Sequence, residues 1–266
     1  MAVIISGAGL SADSGVPTFF GANGSYGRFA NPEDVVSSGT LKKDPELLHR
    51  FVDDMRVALG NAEPNEAHRM IARLAGDYSA AFEHITQNID DLVERAGFHG
   101  SIHLHGFLTR MRQLLNPAVT EDIGYSRYWD GDPSLAPPRG FQFRSPDRHK
   151  SRYRPDVVLF GEPAPEYAAL FTRLDINGTK HPDALGPDDL VVVIGTRGAV
   201  IPIQPFLSLR RCKSVLVNLH YHEEIMEDLF DTVIHDRASE AAPVIEQMVR
   251  SHLGEPTTKS ASPASL

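Results

Sequence analysis

Two short stretches carry the side chains needed to break a glycosidic bond. Thr86-Gln87-Asn88-Ile89-Asp90 closes one apolar run, and fifteen residues after Asp90 comes His105, in His103-Leu104-His105-Gly106. The amides of Gln87 and Asn88 and the carboxylate of Asp90 suit a ribose and a carboxamide. The imidazole of His105 suits a hydroxyl that has to lose its proton. Plainer readings stand beside these. Asp90 and Asp91 also suit the start of a helix running into Leu92, Val93 and Ala96. An isolated histidine is more often a hydrogen-bonded, partly buried one. Gly106 marks a strand end, so His105 is the candidate base and His103 the structural histidine.

A third stretch, Gly7-Ala8-Gly9-Leu10-Ser11-Ala12, follows an apolar run in the G-x-G-x-x-A form of a dinucleotide-binding turn that opens a helix. The usual acidic partner, about 20 residues on, is not evident. Glu33 and Asp34 stand in a loop-like context. A tight strand-to-helix turn without a ligand accounts for these residues equally well.

Such groups converge only if a frame brings them together. Residues 3–6, Phe82–Thr86, 101–104, 155–160, Leu190–Ile194 and 214–219 read as strands. Leu47, Leu48, Phe51, Val52, Met55 and Leu59 recur at helical spacing, with Asp44 as N-cap and Pro45 at the first position. Ala67, Met70, Ile71 and Leu74 mark a second helix after Pro64-Asn65, and further helices are expected over 166–174, 202–211, 222–229 and 241–253. The alternation predicts an α/β fold with a Rossmann-like parallel sheet and functional loops at the carboxyl ends of its strands. Residues 19–63 and 107–154 interrupt it, the second with no clear period. Both are read as insertions forming a smaller domain against a sheet domain of 1–18, 64–106 and 155–253. Residues 254–266, rich in Ser, Thr, Pro and Ala, read as a disordered tail.

Composition excludes several classes. A net charge of −9 over 266 residues argues against non-specific nucleic-acid binding. A single cysteine, Cys212, allows no internal disulfide and no thiolate zinc site. No apolar run approaches the ~20 residues of a membrane span, and no basic region precedes the first apolar run. A cytoplasmic location fits. Oligomeric state and protein substrate are not legible.

Taken together, the glycine turn, the TQNID run and the HG pair resemble the sirtuins, the NAD-consuming protein deacylases. The resemblance runs from Val3 to about Leu253. Ser14-Gly15-Val16-Pro17, Asp44-Pro45, Pro64-Asn65 with Ala67-His68, Ala96-Gly97, Arg154-Pro155 with Phe160-Gly161-Glu162, Gly195-Thr196 and Val217-Asn218-Leu219 follow in family order. The resemblance implies NAD as cofactor, with its pyrophosphate at Ala8 and Gly9 and further contacts from Gly7, Ser11 and Phe19. It implies Gln87 on the nicotinamide ribose, Asn88 and Asp90 in the nicotinamide pocket, and Gly195, Thr196 and Asn218 near the adenine ribose. The adenine would sit against residues 236–238, Arg237 included. His105 would be the general base, with Asn88 and Asp90 beside it in catalysis. Val158, Leu159, Phe160 and Gly161 would line the channel for an acyl-lysine, its peptide adding as an extended strand. Nicotinamide would leave, the acyl oxygen would capture the ribose, and His105 would help a ribose hydroxyl take the acyl group.

The chain departs from the family in four places. The zinc-binding cysteines are missing from 107–154, so no metal is expected, and Tyr125, Tyr128, Trp129, Phe141 and Phe143 are candidates for a replacement core. The family's Asp-Phe-Arg is here Thr18-Phe19-Phe20, with Arg28 a few residues on. The Tyr and Arg that recognise acidic acyl groups are matched by Val52 and Met55, with Arg50 and Arg56 expected to face elsewhere. Uncharged acyl groups are therefore expected. Arg197 stands where the family has Ser, and either meets a phosphate or ribose or is a surface residue. An ADP-ribosyltransferase or NAD glycohydrolase on the same fold is the alternative. A non-catalytic NAD sensor is a third reading, with less need of both Asp90 and His105.

Overall fold

The computed structural model describes residues 1–16, 32–125, 127, 153–175, 178, 181–198 and 212–256. Its strands are β1 (Ala2–Ser6), β2 (Phe82–Thr86), β3 (Ile102–His103), β4 (Gly106–Gln113), β5 (Thr120–Asp122), β6 (Tyr153–Val157), β7 (Leu190–Ile194), β8 (Lys213–Val217) and β9 (Thr232–Ile234). Its helices are α1 (Pro32–Val35), α2 (Ser38–Lys43), α3 (Pro45–Gly60), α4 (Glu66–Asp77), α5 (Leu92–Arg95), α6 (Tyr167–Leu174) and α7 (Ala238–Leu253).

Among the described residues, six strands form one parallel sheet in the order β3-β2-β1-β7-β8-β9. Strand alternation explains its continuous apolar runs. Ala2 and Ile4 of β1 face the buried sides of α4 and α7, whereas Val3 and Ile5 face Leu170 and Leu174 of α6. A second sheet, β5-β4-β6, is antiparallel. A third apolar cluster joins Leu48, Phe51, Val52 and Leu59 of α3 to Leu108 of β4, Val157 and Leu159.

The starts of α3 and α4 fall where expected, whereas α7 begins at Ala238, three residues before the expected 241. The Asp44 side chain accepts from the Leu47 amide at 3.1 Å, with Pro45 next in the chain. Asn65 caps α4 in a reciprocal box with His68.

Several expectations are corrected. The glycine turn opens no α-helix, but two 3-10 turns, Ala8–Leu10 and Ala12–Ser14, ended by Gly15 at φ 81°. Glu33 and Asp34 lie in α1, not in a loop. The segment 222–229 is turns and a short 3-10 stretch, Glu227–Leu229. The strand expected at 155–160 is β6, and it pairs antiparallel with β4 instead of joining the parallel sheet. β4 itself escapes period-two reading because a register shift lies between Gly106 and Met111. The expected helix at 202–211 lies outside the described residues, as do Thr18, Phe19, Phe20, Arg28, Tyr128, Trp129, Phe141, Phe143 and residues 257–266. Among the described residues no helix is long and apolar enough to cross a membrane.

Candidate active site

Two strand ends meet through glycine. The Gly7 amide donates to Ile194 O and the Gly9 amide to Gly195 O, both at 2.9 Å. These amides are therefore used within the fold. A Cβ at Gly9 would stand 2.6 Å from the Gly195 Cα, and one at Gly195, where φ is 63°, would meet Gly9 at 2.6 Å. The glycines thus allow the β1 and β7 turns to touch, which shapes the floor of a cleft. Gly195→Ala is expected to weaken NAD binding at least about tenfold through clash and positive-φ strain. Calorimetric titration with NAD checks this, and wild-type affinity would count against the cradle.

The end of β2 carries the polar groups. The Gln87 side chain donates to Thr196 Oγ1 at 3.0 Å. Asn88 Nδ2 donates to Ser11 Oγ at 3.1 Å, and Ser11 Oγ donates to Asp90 Oδ2 at 2.8 Å. Asp90 Oδ1 also accepts the Leu92 amide at 3.2 Å, so this carboxylate caps α5 and serves the cleft together. Burial pushes its carboxyl above the usual range, against the hydrogen bonds from Ser11 and Leu92.

His68 completes this cluster, and sequence reasoning gave it no role. Its Nδ1 accepts the Asn65 amide at 3.1 Å, so Nε2 carries the proton in the neutral ring and donates to Ser11 Oγ at 3.2 Å. Burial, with Arg69 and Arg95 nearby, pushes its pKa down to about 3 and keeps it neutral. The N-x-x-H spacing of the capping box was the available signal.

The two histidines at the end of β3 and just beyond it have different surroundings. His103 is buried, with Nδ1 to Asn88 O at 2.9 Å and Nε2 to Glu94 at 3.0 Å. His105 donates from Nδ1 to Gln87 O at 2.7 Å, which leaves the Nε2 lone pair as the basic site. Burial lowers its pKa, opposed by the Gln87 carbonyl. Activity needing the neutral ring is lost as pH falls through that lowered value, so the acid limb should lie below the ordinary 6.5. A pH–rate profile with its acid limb above neutrality would contradict this.

A buried clamp holds the segment after β6. Arg154 Nη2 donates to Glu162 Oε2 at 2.8 Å, and Glu162 Oε2 accepts the Leu159 amide at 3.1 Å. Val158 N donates to His105 O at 2.9 Å, and Phe160 pairs with Val36 and Ser38 through its amide and carbonyl. This ties the Val158–Leu159–Phe160–Gly161 segment to both His105 and the α1–α2 region.

At the far end, Asn218 Nδ2 donates to Thr196 O at 2.9 Å. Arg237 pairs with Asp13 at 2.6 Å, and Arg197 pairs with Glu224. Phe19 lies outside the described residues; every other expected site residue lines a single cleft of about 1440 Å³. That exceeds the roughly 300–1,000 Å³ of ordinary small-ligand sites and suits a dinucleotide with a peptide side chain.

A profile of the Sir2 family matches residues 7–202. The chain belongs to the Sir2 family. It is 34% identical over 231 residues to an NAD-dependent protein deacylase of Campylobacter jejuni (strain RM1221), covering 87% of this chain and 88% of that one. It is 34% identical over 244 residues to one from Aeropyrum pernix, covering 91% and 89%. Among solved structures, a Sir2 homologue in complex with NAD superposes with TM-score 0.72 at 28% identity, covering 95% of this chain and 90% of that one. A Sir2 protein with a deacetylated peptide and 3′-O-acetyl ADP-ribose gives 0.69 at 25% identity, covering 93% of each.

The Sir2 chain presents one face of α3 to the cleft. Met55 lines it, but Val52 is buried in the third cluster. Arg56 is fully buried against Asp53, as a position facing elsewhere requires. Arg50 is corrected: it lines the cleft, at an exposed rim position, paired with Glu46.

Proposed function

We propose that this chain removes uncharged acyl groups such as acetyl from protein lysines, yielding nicotinamide and O-acyl-ADP-ribose. It is an NAD-dependent protein deacylase by family and by its relatives. The individual roles are our reading, and the geometry of His105 carries it: its ring lines the cleft and donates from Nδ1 to Gln87 O, which leaves Nε2 as the atom that can accept a proton.

NAD fits the residues present. The close contact of the two glycine turns forms the floor of the cleft, and Asn88 and Asp90 are buried polar groups on its wall. Bound there, NAD supplies the ribosyl carbon and the hydroxyls that receive the acyl group. Gln87 and Asn88 orient ribose and carboxamide, with Ser11 and His68 holding Asn88 and Asp90 in place. Thr196, Asn218 and Arg237 hold the adenosine end. The acyl-lysine enters past Val158, Leu159 and Phe160, and His105 acts as the base for a ribose hydroxyl, with Nε2 the atom that ends protonated.

The same proposal divides the chain into a nucleotide-binding unit, 1–18, 64–106 and 155–253, and a smaller unit, 19–63 and 107–154. The third cluster supports it in part: most of its residues come from 19–63 and 107–154, with Leu92, Val157 and Leu159 joining from the other unit. The pairing of β6 with β4 favours drawing the last boundary just after Val157.

Incubation with NAD, with and without an acetyl-lysine peptide, tests the function. O-acetyl-ADP-ribose is the expected product. ADP-ribose without peptide would favour hydrolysis, and modified protein would favour ADP-ribosyl transfer. Acetyl-lysine should be preferred over succinyl-lysine at least about tenfold in kcat/KM, because a buried carboxylate without a cation is costly. A preference for succinyl-lysine would recruit Arg50 and overturn this.

A further inference from the structure

Both ring nitrogens of His105 are engaged. Nδ1 donates to Gln87 O at 2.7 Å, and Nε2 stands 2.9 Å from the Tyr167 hydroxyl. With Nδ1 carrying the ring proton, Nε2 accepts, so Tyr167 donates to it. An imidazole lone pair takes one hydrogen bond, and Tyr167 holds that place. A ribose hydroxyl therefore reaches the base either by evicting Tyr167 or through its oxygen.

The ring of Tyr167 is anchored against eviction. Tyr167 opens α6, and its amide donates to Ala164 O at 3.1 Å. Its ring lies edge-on to Phe171, centroids 5.6 Å apart, and the helix is fixed by fully buried Leu170 and Leu174. Tyr167 nevertheless lines the cleft, together with His105, Val158 and Phe171. Burial holds the phenol neutral, its pKa raised to about 12, so it has a proton to give throughout the working range.

We propose that Tyr167 is a further catalytic residue, a proton relay between a ribose hydroxyl and His105. This rests on reading His105 as the base. The ribose O–H proton passes to the Tyr167 oxygen as the Tyr167 proton passes to His105 Nε2. The ribose oxygen keeps the O–H bonding pair and adds to the acyl carbon of the captured amide, whose C=N π pair moves onto the lysine nitrogen; Tyr167 ends neutral, and His105 ends as imidazolium. A hydroxyl both donates and accepts, so the same contact persists after transfer, with Nε2–H donating to the Tyr167 oxygen.

Tyr167→Phe tests the relay, with His105→Ala beside it. In the free protein, ¹⁵N NMR of the His105 ring should show an Nδ1–H tautomer whose Nε2 resonance moves to the position of a lone pair without a donor in Tyr167→Phe. With NAD and acetyl-lysine peptide, Tyr167→Phe should slow single-turnover acyl transfer about 10- to 100-fold. Its proton inventory in mixed H₂O/D₂O should change from curved to linear, while exchange of labelled nicotinamide stays within a few-fold of wild type. Wild-type acyl transfer in Tyr167→Phe, with His105→Ala inactive, would overturn the relay and leave the base in place. Equal losses of exchange and transfer would make Tyr167 structural and also overturn it. Retained transfer in His105→Ala would remove the base and the relay together.

Discussion

His105→Ala is expected to lower O-acyl-ADP-ribose formation by about 10²- to 10⁴-fold, the usual contribution of a positioned base, or about 3–5 kcal/mol of barrier. NAD binding should be largely intact. Among the described residues, His105 meets the expected cofactor residues through its bond to the Gln87 carbonyl, whereas the Asn88–Ser11–Asp90 cluster is held independently by His68 and the α5 amide. Nicotinamide exchange should therefore persist. Measuring exchange and product formation on one preparation separates the two steps. Normal turnover in the variant would remove His105 from the reaction, and loss of NAD binding would make it structural.

Arg56→Leu should be the most damaging change outside the cleft. Arg56 has no exposed surface and pairs with Asp53, itself buried, while its Nε donates to Leu108 O at 2.7 Å. Removing the cation leaves a buried carboxylate without that partner, which costs about 3–5 kcal/mol. The loss falls on the contact between α3 and β4 that holds the third cluster together. Since the opposite edge of α3 lines the cleft through Phe51 and Met55, activity should fall at lower denaturant than in wild type. Urea unfolding measures the loss, and Arg56→Met with Asp53→Asn should recover part of it. A cost below about 1 kcal/mol would show that the pair is not needed for folding.

Sequence pattern revealed those parts of the molecule whose physics is local. Continuous apolar runs such as Leu190–Ile194 mark strands buried on both faces, and Asp44-Pro45 and Asn65 mark helix starts because a cap is satisfied within a few residues. The order of the motifs identified the family, and the residues at the ends of β1, β2 and β7 were all placed on the cleft. Where local signals conflict, the sequence was silent. β4 carries charges and a register shift, and β9 is three residues long, so neither shows a period.

Partnership was decided only in three dimensions. Asp90 was readable either as a cap or as a cleft residue, and the fold makes it both, since one oxygen meets Leu92 and the other Ser11. Gly9 suggested an amide for a phosphate, yet its N–H goes to Gly195, 186 positions away in the chain, and the missing Cβ proves to be its main asset. Arg50, on the same helix as Arg56, is at the cleft while Arg56 is in the core, a choice made by which face β4 covers. Nothing in the chain links Tyr167 to His105, which stand 62 residues apart and come together only because α6 packs beneath the sheet beside the end of β3. Residue types and spacing determined which chemistry was available, and the long-range packing determined which atom of each group performs it.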